Sequence, residues 1–219
     1  TNAIPLGRGL GSSAAAVVGG LVAANALCGN LISHERLLEL ATEIENHPDN
    51  VGPSLLGGCR AMVQDGQHIV AAKVPVPRRL RVVVYIPDQS MSTQASRAEL
   101  DKVITREDAV FNIGRTALLI NSLNQNNLDY LALATQDRLH QPARARIFPA
   151  MHHLIKAGLD GGALAAFLSG GGSSVLALTT GNEMTVGFEM SDAAEKWGVS
   201  GRFIVTRPTS RGAHVTKSS

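Results

Sequence analysis

The chain has 219 residues, of which 44% are hydrophobic and 17% charged, a composition typical of a globular protein with a sizeable core. A formal net charge of +2 gives no basis for attraction to nucleic acid or to a membrane surface, and no apolar run of about 18 residues predicts a membrane span. The two cysteines, Cys28 and Cys59, are too few for a disulfide framework and are expected to be small buried hydrophobes in a reducing cytoplasm.

The first third of the chain is predicted to form two helices and a hairpin. The first helix is apolar all round, so we expect it to be buried on every side, with Gly29 in the C-cap position. Ser33 is the expected N-cap of the second helix, whose apolar residues recur at helical spacing. The predicted elements are helices Ser12–Ala26 and His34–Glu45, and strands Gly57–Val63 and His68–Val74 around the turn QDGQ.

Pro75 and Pro77 mark a candidate domain boundary, which divides the chain into residues 1–76 and 77–219. The second part mixes helices and strands without regular alternation, and this favours an α+β fold. Its predicted elements are strand Leu80–Ile86, helices Ala109–Leu123, Leu128–His140 and Pro149–Gly158, a strand, glycine turn and strand within Ala163–Thr180, a short helix Asp192–Trp197 and strand Arg202–Arg207. The polar tail from Thr209 is expected to fray.

The most informative stretch is IPLGRGLGSSAAA, Ile4–Ala16, a glycine loop that runs into the first helix. Glycines allow a close approach of the backbone, and free amides at a helix N-terminus can hold a phosphate. A Walker loop has a lysine after its last glycine, and this loop has none. Backbone amides, a metal ion and Arg8 are therefore the candidates for balancing the charge. The alternative is a plain tight turn with Ser12 as N-cap.

The loop resembles the central ATP-binding motif of the GHMP kinases, in which a proline and three residues precede Gly-Leu-Gly-Ser-Ser-Ala. A second stretch, LSGGGSSVLAL, resembles that family's other glycine motif, whose loop packs beside the first. Two such loops about 160 residues apart are more specific than either alone. The resemblance implies that ATP is bound by Pro5, Leu6, Gly7, Arg8, Gly9, Leu10, Gly11, Ser12, Ser13 and Ala14, with Gly171 and Gly172.

The stretch EIENHPDNVGPSLLGG, residues 43–58, resembles the signature of the homoserine kinases within that family. The resemblance implies that Glu45 binds Mg²⁺ together with Ser12, with Glu43 as the alternative carboxylate. It also implies that Asn50 orients the substrate hydroxyl, with His47 and Asp49 in the same substrate-binding loop. By themselves these residues are typical of a turn. A hydrolase triad of His47, Asp49 and a serine is disfavoured, because the chain has no GxSxG motif.

Two further motifs resemble the residues with which homoserine kinases hold the substrate carboxylate. STQASR places Thr93 four residues before Arg97, and HQPARAR places Arg144 two residues after a proline. A guanidinium can bond both oxygens of a carboxylate in one plane, which suits this role. Arg146 is the alternative to Arg144. Taken singly, such arginines are more often surface residues.

The resemblance implies the GHMP kinase fold, with a ribosomal-S5-like first domain, incomplete here, and a ferredoxin-like C-terminal domain. It implies an ATP- and Mg²⁺-dependent phosphorylation of the L-homoserine hydroxyl in threonine biosynthesis. The alternatives are another GHMP kinase, acting on mevalonate or a sugar, and a non-catalytic sensor. A cytoplasmic location is expected, and a homodimer is left open. Because the chain starts at Thr1 within four residues of the loop, we expect a missing N-terminal segment and an unstable or inactive fragment.

Overall fold

The computed structural model describes residues 1–216, apart from the side chain of Thr93. The chain forms two compact units. The first contains residues 1–4, 11–75 and the C-terminal residues from Pro208, and the second contains residues 5–10 and 76–207. Both units are therefore discontinuous in sequence. The domain boundary after residue 76 stays a prediction.

In the first unit, the first helix packs against the second and third helices, and these two contact a two-stranded antiparallel hairpin. Its core brings together one side of the first helix with the second and third helices, through Ala14, Val18, Leu37, Leu38, Ala41, Val51 and Leu55. Ser33 accepts from the Arg36 N–H and is confirmed as an N-cap. Cys28 is the C-cap of the first helix, one residue before the prediction, and Gly29 follows it at a φ of +84°. The elements are α1 Ser12–Leu27, α2 His34–Glu45, α3 Val51–Leu56, β1 Cys59–Asp65 and β2 His68–Val74.

The prediction that α1 is buried on every side is wrong for this chain. Ala14 and Val18 are buried, but Leu27 at the end of the helix is 89% exposed. Among the described residues of the unit, α2 and α3 pack against one face of α1, and residues on the rest of its surface are exposed. The cysteine prediction is also wrong. Cys28 directly follows α1 and is exposed, and Cys59 is half-buried.

The second unit is a four-stranded antiparallel sheet in the order β4-β5-β3-β6, with α8 and α9 packed against it. Taken along the chain, this is the β-α-β-β-α-β arrangement of a ferredoxin-like domain, and it confirms the α+β prediction. Val83, Tyr85, Leu154, Val186 and Met190 are central core residues. The elements are β3 Arg81–Pro87, α4 Thr93–Ala98, α5 Arg106–Asn124, α6 Leu131–Ala134, α7 Gln141–Arg144, α8 Met151–Asp160, β4 Ala165–Leu168, β5 Val175–Thr179, α9 Glu183–Lys196 and β6 Gly201–Thr206.

Two helices of this unit differ from the prediction. α9 begins at Glu183, nine residues before the predicted start at Asp192, because Gly187 fits under the Phe203 ring and Val186 is fully buried. Within the predicted helix Leu128–His140, only the single turn α6 forms, and irregular backbone follows it. A second single turn, α7, begins after the predicted span, at Gln141. None of the helices within residues 1–216 is long and apolar enough to cross a membrane.

The predicted fraying of the tail is wrong for residues 209–213, and residues 217–219 lie outside the described residues. The Gly58 N–H donates to Thr209 O at 2.8 Å, and the Ala213 N–H donates to Ser54 O at 3.0 Å. Ala213 also packs against the core of the first unit. Sequence patterns did not indicate this return, because the segment is mostly polar and its hydrogen bonds to the unit are made by backbone groups.

Candidate active site

The first glycine loop adopts backbone angles that favour glycine. Gly7, Gly9 and Gly11 have φ values of +65°, +68° and +71°. Gly11 is the N-cap residue of α1, and no side chain among the described residues caps that end of the helix. The first amides of a helix have no partner within the helix and carry the positive end of its dipole. This end of α1 therefore has the donors that an anion needs.

The two serines that begin α1 point to different partners. The Ser12 hydroxyl is nearly buried, donates to Ile4 O at 2.9 Å and accepts from the Asn2 amide at 2.8 Å. The Ser13 hydroxyl is exposed and donates to Glu45 Oε1 at 2.6 Å. The structure thus places Ser13, rather than Ser12, next to the predicted metal-binding carboxylate.

Glu45 is also distinguished from the alternative carboxylate. Glu43 lies 3.3 Å from the Arg36 guanidinium in an exposed ion pair, which Arg36 shares with Glu39. Glu45 is the last residue of α2 and faces the start of α1 through Ser13. Of the two, Glu45 is the carboxylate that lies at the glycine loop.

The HPDN turn, residues 47–50, lies in the same unit as the start of α1. A side-chain carbon added at Gly11 would be 3.3 Å from Asn50 Oδ1, so the Asn50 amide lies directly against the loop. Asp49 Oδ1 is 2.6 Å from His47 Nδ1 and accepts from the Asn50 N–H at 2.8 Å. The aspartate therefore holds the turn together, and Asn50 is the side chain of the turn that contacts the loop.

In the second unit, the first half of the glycine loop packs against the second glycine loop. The Ser169 hydroxyl donates to Gly9 O at 2.9 Å, and the Ser174 N–H donates to Arg8 O at 3.2 Å. A side-chain carbon at Gly9 would be 1.9 Å from Ser169 O and 2.8 Å from Gly172 N. The two glycine motifs, 160 residues apart in sequence, are thus in direct contact.

Arg8 does not extend away from this junction. Its guanidinium donates to the carbonyls of Leu6 and Pro87, at 2.6 and 2.8 Å, and to that of Asp88. Three carbonyl partners give Arg8 a role in holding the loop to the end of β3. Because these carbonyls occupy its donors, Arg8 is a weaker candidate for balancing phosphate charge than the uncapped amides at the start of α1.

The arginines predicted to hold a carboxylate differ in their surroundings. Arg144 Nη1 donates to Gly170 O at 3.0 Å, and burial lowers the Arg144 pKa, with Asp137 raising it and the charge of Arg97 lowering it further. Arg97 therefore lies close enough to Arg144 for their charges to repel. Arg146 instead bonds both oxygens of Asp101 at 3.2 Å. The Thr93 side chain is outside the described residues.

The predicted residues fall into two groups, one in each unit. Gly11–Ala14, Glu45, His47, Asp49 and Asn50 are in the first unit, and residues 5–10, Gly171, Gly172, Arg97 and Arg144 are in the second. Sequence reasoning missed the contact of Ser13 with Glu45, for which the paired serines of GLGSS were the available signal. It also missed Asp137, a single carboxylate between α6 and α7 that belongs to no motif named above.

The chain matches the family description "GHMP kinases N terminal domain" over residues 1–58 and "GHMP kinases C terminal" over residues 111–186. The homoserine kinase of Caldicellulosiruptor bescii is 46% identical over 181 residues, which cover 83% of this chain and 59% of that protein. The homoserine kinase of Moorella thermoacetica is 41% identical over 214 residues, 98% of this chain and 72% of that protein.

The crystal structure of homoserine kinase from Cytophaga hutchinsonii matches with a TM-score of 0.90 and 33% identity, over 97% of this chain and 70% of that one. The chain thus spans 59% of the Caldicellulosiruptor protein and somewhat more of the other two. The fold is the GHMP kinase fold, with its N-terminal and C-terminal domains. With these identities and coverages, the chain belongs to the GHMP kinase family, in the branch whose curated members bear the name homoserine kinase.

Proposed function

We propose that the intact protein is a homoserine kinase, which transfers the γ-phosphate of ATP to the side-chain hydroxyl of L-homoserine in threonine biosynthesis. The observation that carries this proposal is the group at the start of α1, where Ser13 contacts Glu45 at 2.6 Å and Asn50 lies against Gly11. The similarity to relatives named homoserine kinase supports the choice of substrate.

The amides at the start of α1 are proposed to hold the ATP phosphates. They are uncapped by side chains in the described part of the chain, and such free amides at a helix N-terminus can hold a phosphate. Phosphoryl transfer depends on positioning and charge stabilisation more than on covalent chemistry by the protein. A lysine is therefore not required in this loop.

Mg²⁺ fits the oxygen donors at this place. A hydroxyl and a carboxylate at hydrogen-bonding distance, Ser13 and Glu45, are hard ligands of the kind that magnesium takes. No cluster of three or more His, Cys, Asp or Glu residues that could hold a metal occurs in the described ranges. Magnesium would accordingly be held by few protein groups together with phosphates and water, as is usual for it, and would neutralise phosphate charge. We propose Ser13 in place of Ser12 as the hydroxyl ligand.

Asn50 is proposed to orient the substrate hydroxyl toward the phosphate. Within the HPDN turn, the Asn50 side-chain amide lies against Gly11 of the glycine loop. Asp49 is the tempting general base, but its carboxylate bonds the His47 ring and the Asn50 N–H. We therefore assign no general base and give Asp49 and His47 the role of shaping the substrate-binding turn.

Arg97 and Arg144 are proposed to bind the substrate carboxylate, with Thr93 beside them. Two guanidiniums whose charges repel are stabilised by an anion bound between them, and a carboxylate can accept from both. The Asp101 ion pair makes Arg146 the poorer candidate. A sugar lacks a carboxylate, so this pair favours an amino-acid substrate over a sugar. The cytoplasmic location and a homodimer remain predictions from the sequence.

The test is ADP release by the intact protein with MgATP and L-homoserine, (R)-mevalonate or galactose. We expect turnover with homoserine and at most a few per cent of that rate with the other two. Faster turnover with mevalonate or galactose would assign another substrate. Binding of MgATP and homoserine without turnover by any of the three would support a sensor and contradict the kinase proposal. An Asn50→Ala variant provides the control for contaminating kinases.

A further inference from the structure

Asp137, between α6 and α7, accepts an unusual number of hydrogen bonds. Its Oδ2 accepts from the N–H groups of His140 and Gln141 at 2.8 and 2.5 Å, and its Oδ1 accepts from the Leu139 N–H at 3.2 Å. The Asn112 side-chain amide, from α5, donates to Oδ1 at 2.6 Å. Only 16% of the Asp137 side chain is exposed. One carboxylate therefore holds three consecutive backbone amides and ties them to α5.

These amides lead into α7, a single turn that ends at Arg144. The turn is held at two further points. Gln141 Oε1 accepts from the Leu168 N–H at 2.8 Å, and Arg144 Nη1 donates to Gly170 O at 3.0 Å. A four-residue helix has little stability of its own, so its orientation depends on such contacts. The place of the Arg144 guanidinium beside the second glycine loop thus depends on the Asp137 anchor.

The charges of the Asp137 carboxylate and the Arg144 guanidinium also link these two residues. Burial raises the pKa of Asp137, but hydrogen bonds from His140, the Gln141 N–H and Asn112 outweigh it and hold that pKa well below its usual range. The carboxylate is therefore ionised at neutral pH, and its charge favours the protonated form of half-buried Arg144. Arg144 Nε is buried and has no hydrogen-bond partner among residues 1–216, so the guanidinium has one unsatisfied donor.

We propose that Asp137 is a positioning residue, which fixes the Arg144 guanidinium for the substrate carboxylate by holding the turn that leads into α7. This inference rests on the proposed function and adds to it a residue that does not touch the substrate. A residue that only stabilised the fold would affect all ligands alike. Asp137 acts through Arg144 and should affect the carboxylate end alone.

The first test compares Asp137→Asn with wild type in the intact protein. We expect the KM for homoserine to rise roughly ten- to hundredfold, as when a binding group is displaced by about 1 Å, with the KM for ATP within about twofold of wild type. Asp101→Asn, which breaks the Asp101–Arg146 pair, is the matched control and should leave both KM values unchanged. Asn112→Ala removes one bond to Asp137 and should act in the same direction, more weakly, even if Asp137→Asn does not fold.

The second test asks whether the effect passes through Arg144. In an Arg144→Ala background, Asp137→Asn should change the homoserine KM by less than about twofold, because coupled residues are non-additive. With L-homoserine amide, which has no carboxylate, the variant and wild type should have similar KM values. An equal rise in both KM values, or the full effect in the Arg144→Ala background, would overturn the inference.

A third measurement separates this inference from the proposed function. A wild-type protein that does not phosphorylate homoserine would overturn the function. Independently, crystal structures of wild type and Asp137→Asn, or Asn112→Ala, should differ in the Arg144 Nη1 to Gly170 O contact. An unchanged contact would contradict the positioning role whatever the substrate.

Discussion

Ser12 and Ser13 show how strongly local geometry separates two identical neighbours. Successive residues of an α-helix point about 100° apart, so only one of two adjacent side chains can face a given partner. Ser12 turns toward Ile4 and Asn2 and is 5% exposed, whereas Ser13 turns toward Glu45. The first serine is thus placed to hold the chain before the loop, and the second to meet a ligand.

This difference predicts opposite phenotypes for two alanine variants. Ser13→Ala should weaken the apparent Mg²⁺ affinity of the kinase reaction by roughly tenfold or more, since a hydrogen bond or ligand contact to a charged group is worth about 1.5–3 kcal/mol. Ser12→Ala should lower the melting temperature and leave the Mg²⁺ dependence nearly unchanged. Titration of initial rates with Mg²⁺ at saturating ATP, with thermal unfolding of both variants, measures this. The reverse pattern would return the ligand role to Ser12.

At the scale of elements, the two glycine loops act as one structural piece within the second unit. Gly9 lies against Ser169 and Gly172, and the Ser169 hydroxyl bonds Gly9 O. A glycine is required at residue 9 for two reasons, its positive φ and the absence of space for a side chain. Gly198, after α9, shares the φ of +68° but has no atom within 4 Å of an added side-chain carbon.

Gly9→Ala and Gly198→Ala therefore separate strain from steric exclusion. The left-handed conformation costs a non-glycine residue about 1 kcal/mol or slightly more, and this is the whole expected loss of unfolding free energy for Gly198→Ala. Gly9→Ala should lose roughly 1–3 kcal/mol more, because the added carbon overpacks against the backbone of the other loop. Urea denaturation of the two variants and wild type gives the comparison. Equal losses would mean that the loops are not in firm contact.

The sequence predicted the elements whose own residues determine them. The N-cap Ser33, the hairpin around QDGQ and the strand-turn-strand with the second glycine motif follow from turn chemistry and periodicity, and the structure confirms them. α7 and the full length of α9 could not be predicted, since they depend on partners distant in sequence. Leu168 and Gly170 bond the Gln141 and Arg144 side chains of α7, and Phe203 packs over a glycine within α9.

The same limit applied to the candidate site. The loops, Glu45 and Asn50 could be predicted as site residues because their motifs are contiguous in sequence. The orientation of Ser13, the engagement of Arg8 with three carbonyls and the pairing of Arg146 with Asp101 are tertiary contacts, so they needed the structure. Their effect is to shift the proposed magnesium ligand by one residue and to favour Arg144 over Arg146.

For the whole molecule, the two units are interleaved in sequence. Residues 5–10 belong to the second unit although they precede the helix of the first, and the segment from Pro208 belongs to the first although it follows β6. The C-terminal segment adds backbone hydrogen bonds to α3 and its flanking residues, and Ala213 extends the apolar core. A contact near residue 213 should therefore stabilise residues near 55 and not the adjacent strand β6.

Removing residues 208–219 tests this arrangement. Hydrogen exchange should accelerate at Ser54–Gly58 and in α3, because Gly58 loses its acceptor and the Leu55 side of the core loses Ala213, whereas the β3–β5 ladder should stay protected. Gly212→Ala should have a similar but smaller effect, since the added carbon would be 2.2 Å from Leu55 O. Gly181→Ala, where no atom lies within 4 Å, is its control. Faster exchange confined to β6 and β3, with α3 unchanged, would contradict this arrangement. It would mean that the tail stabilises the sheet of the second unit rather than α3 of the first.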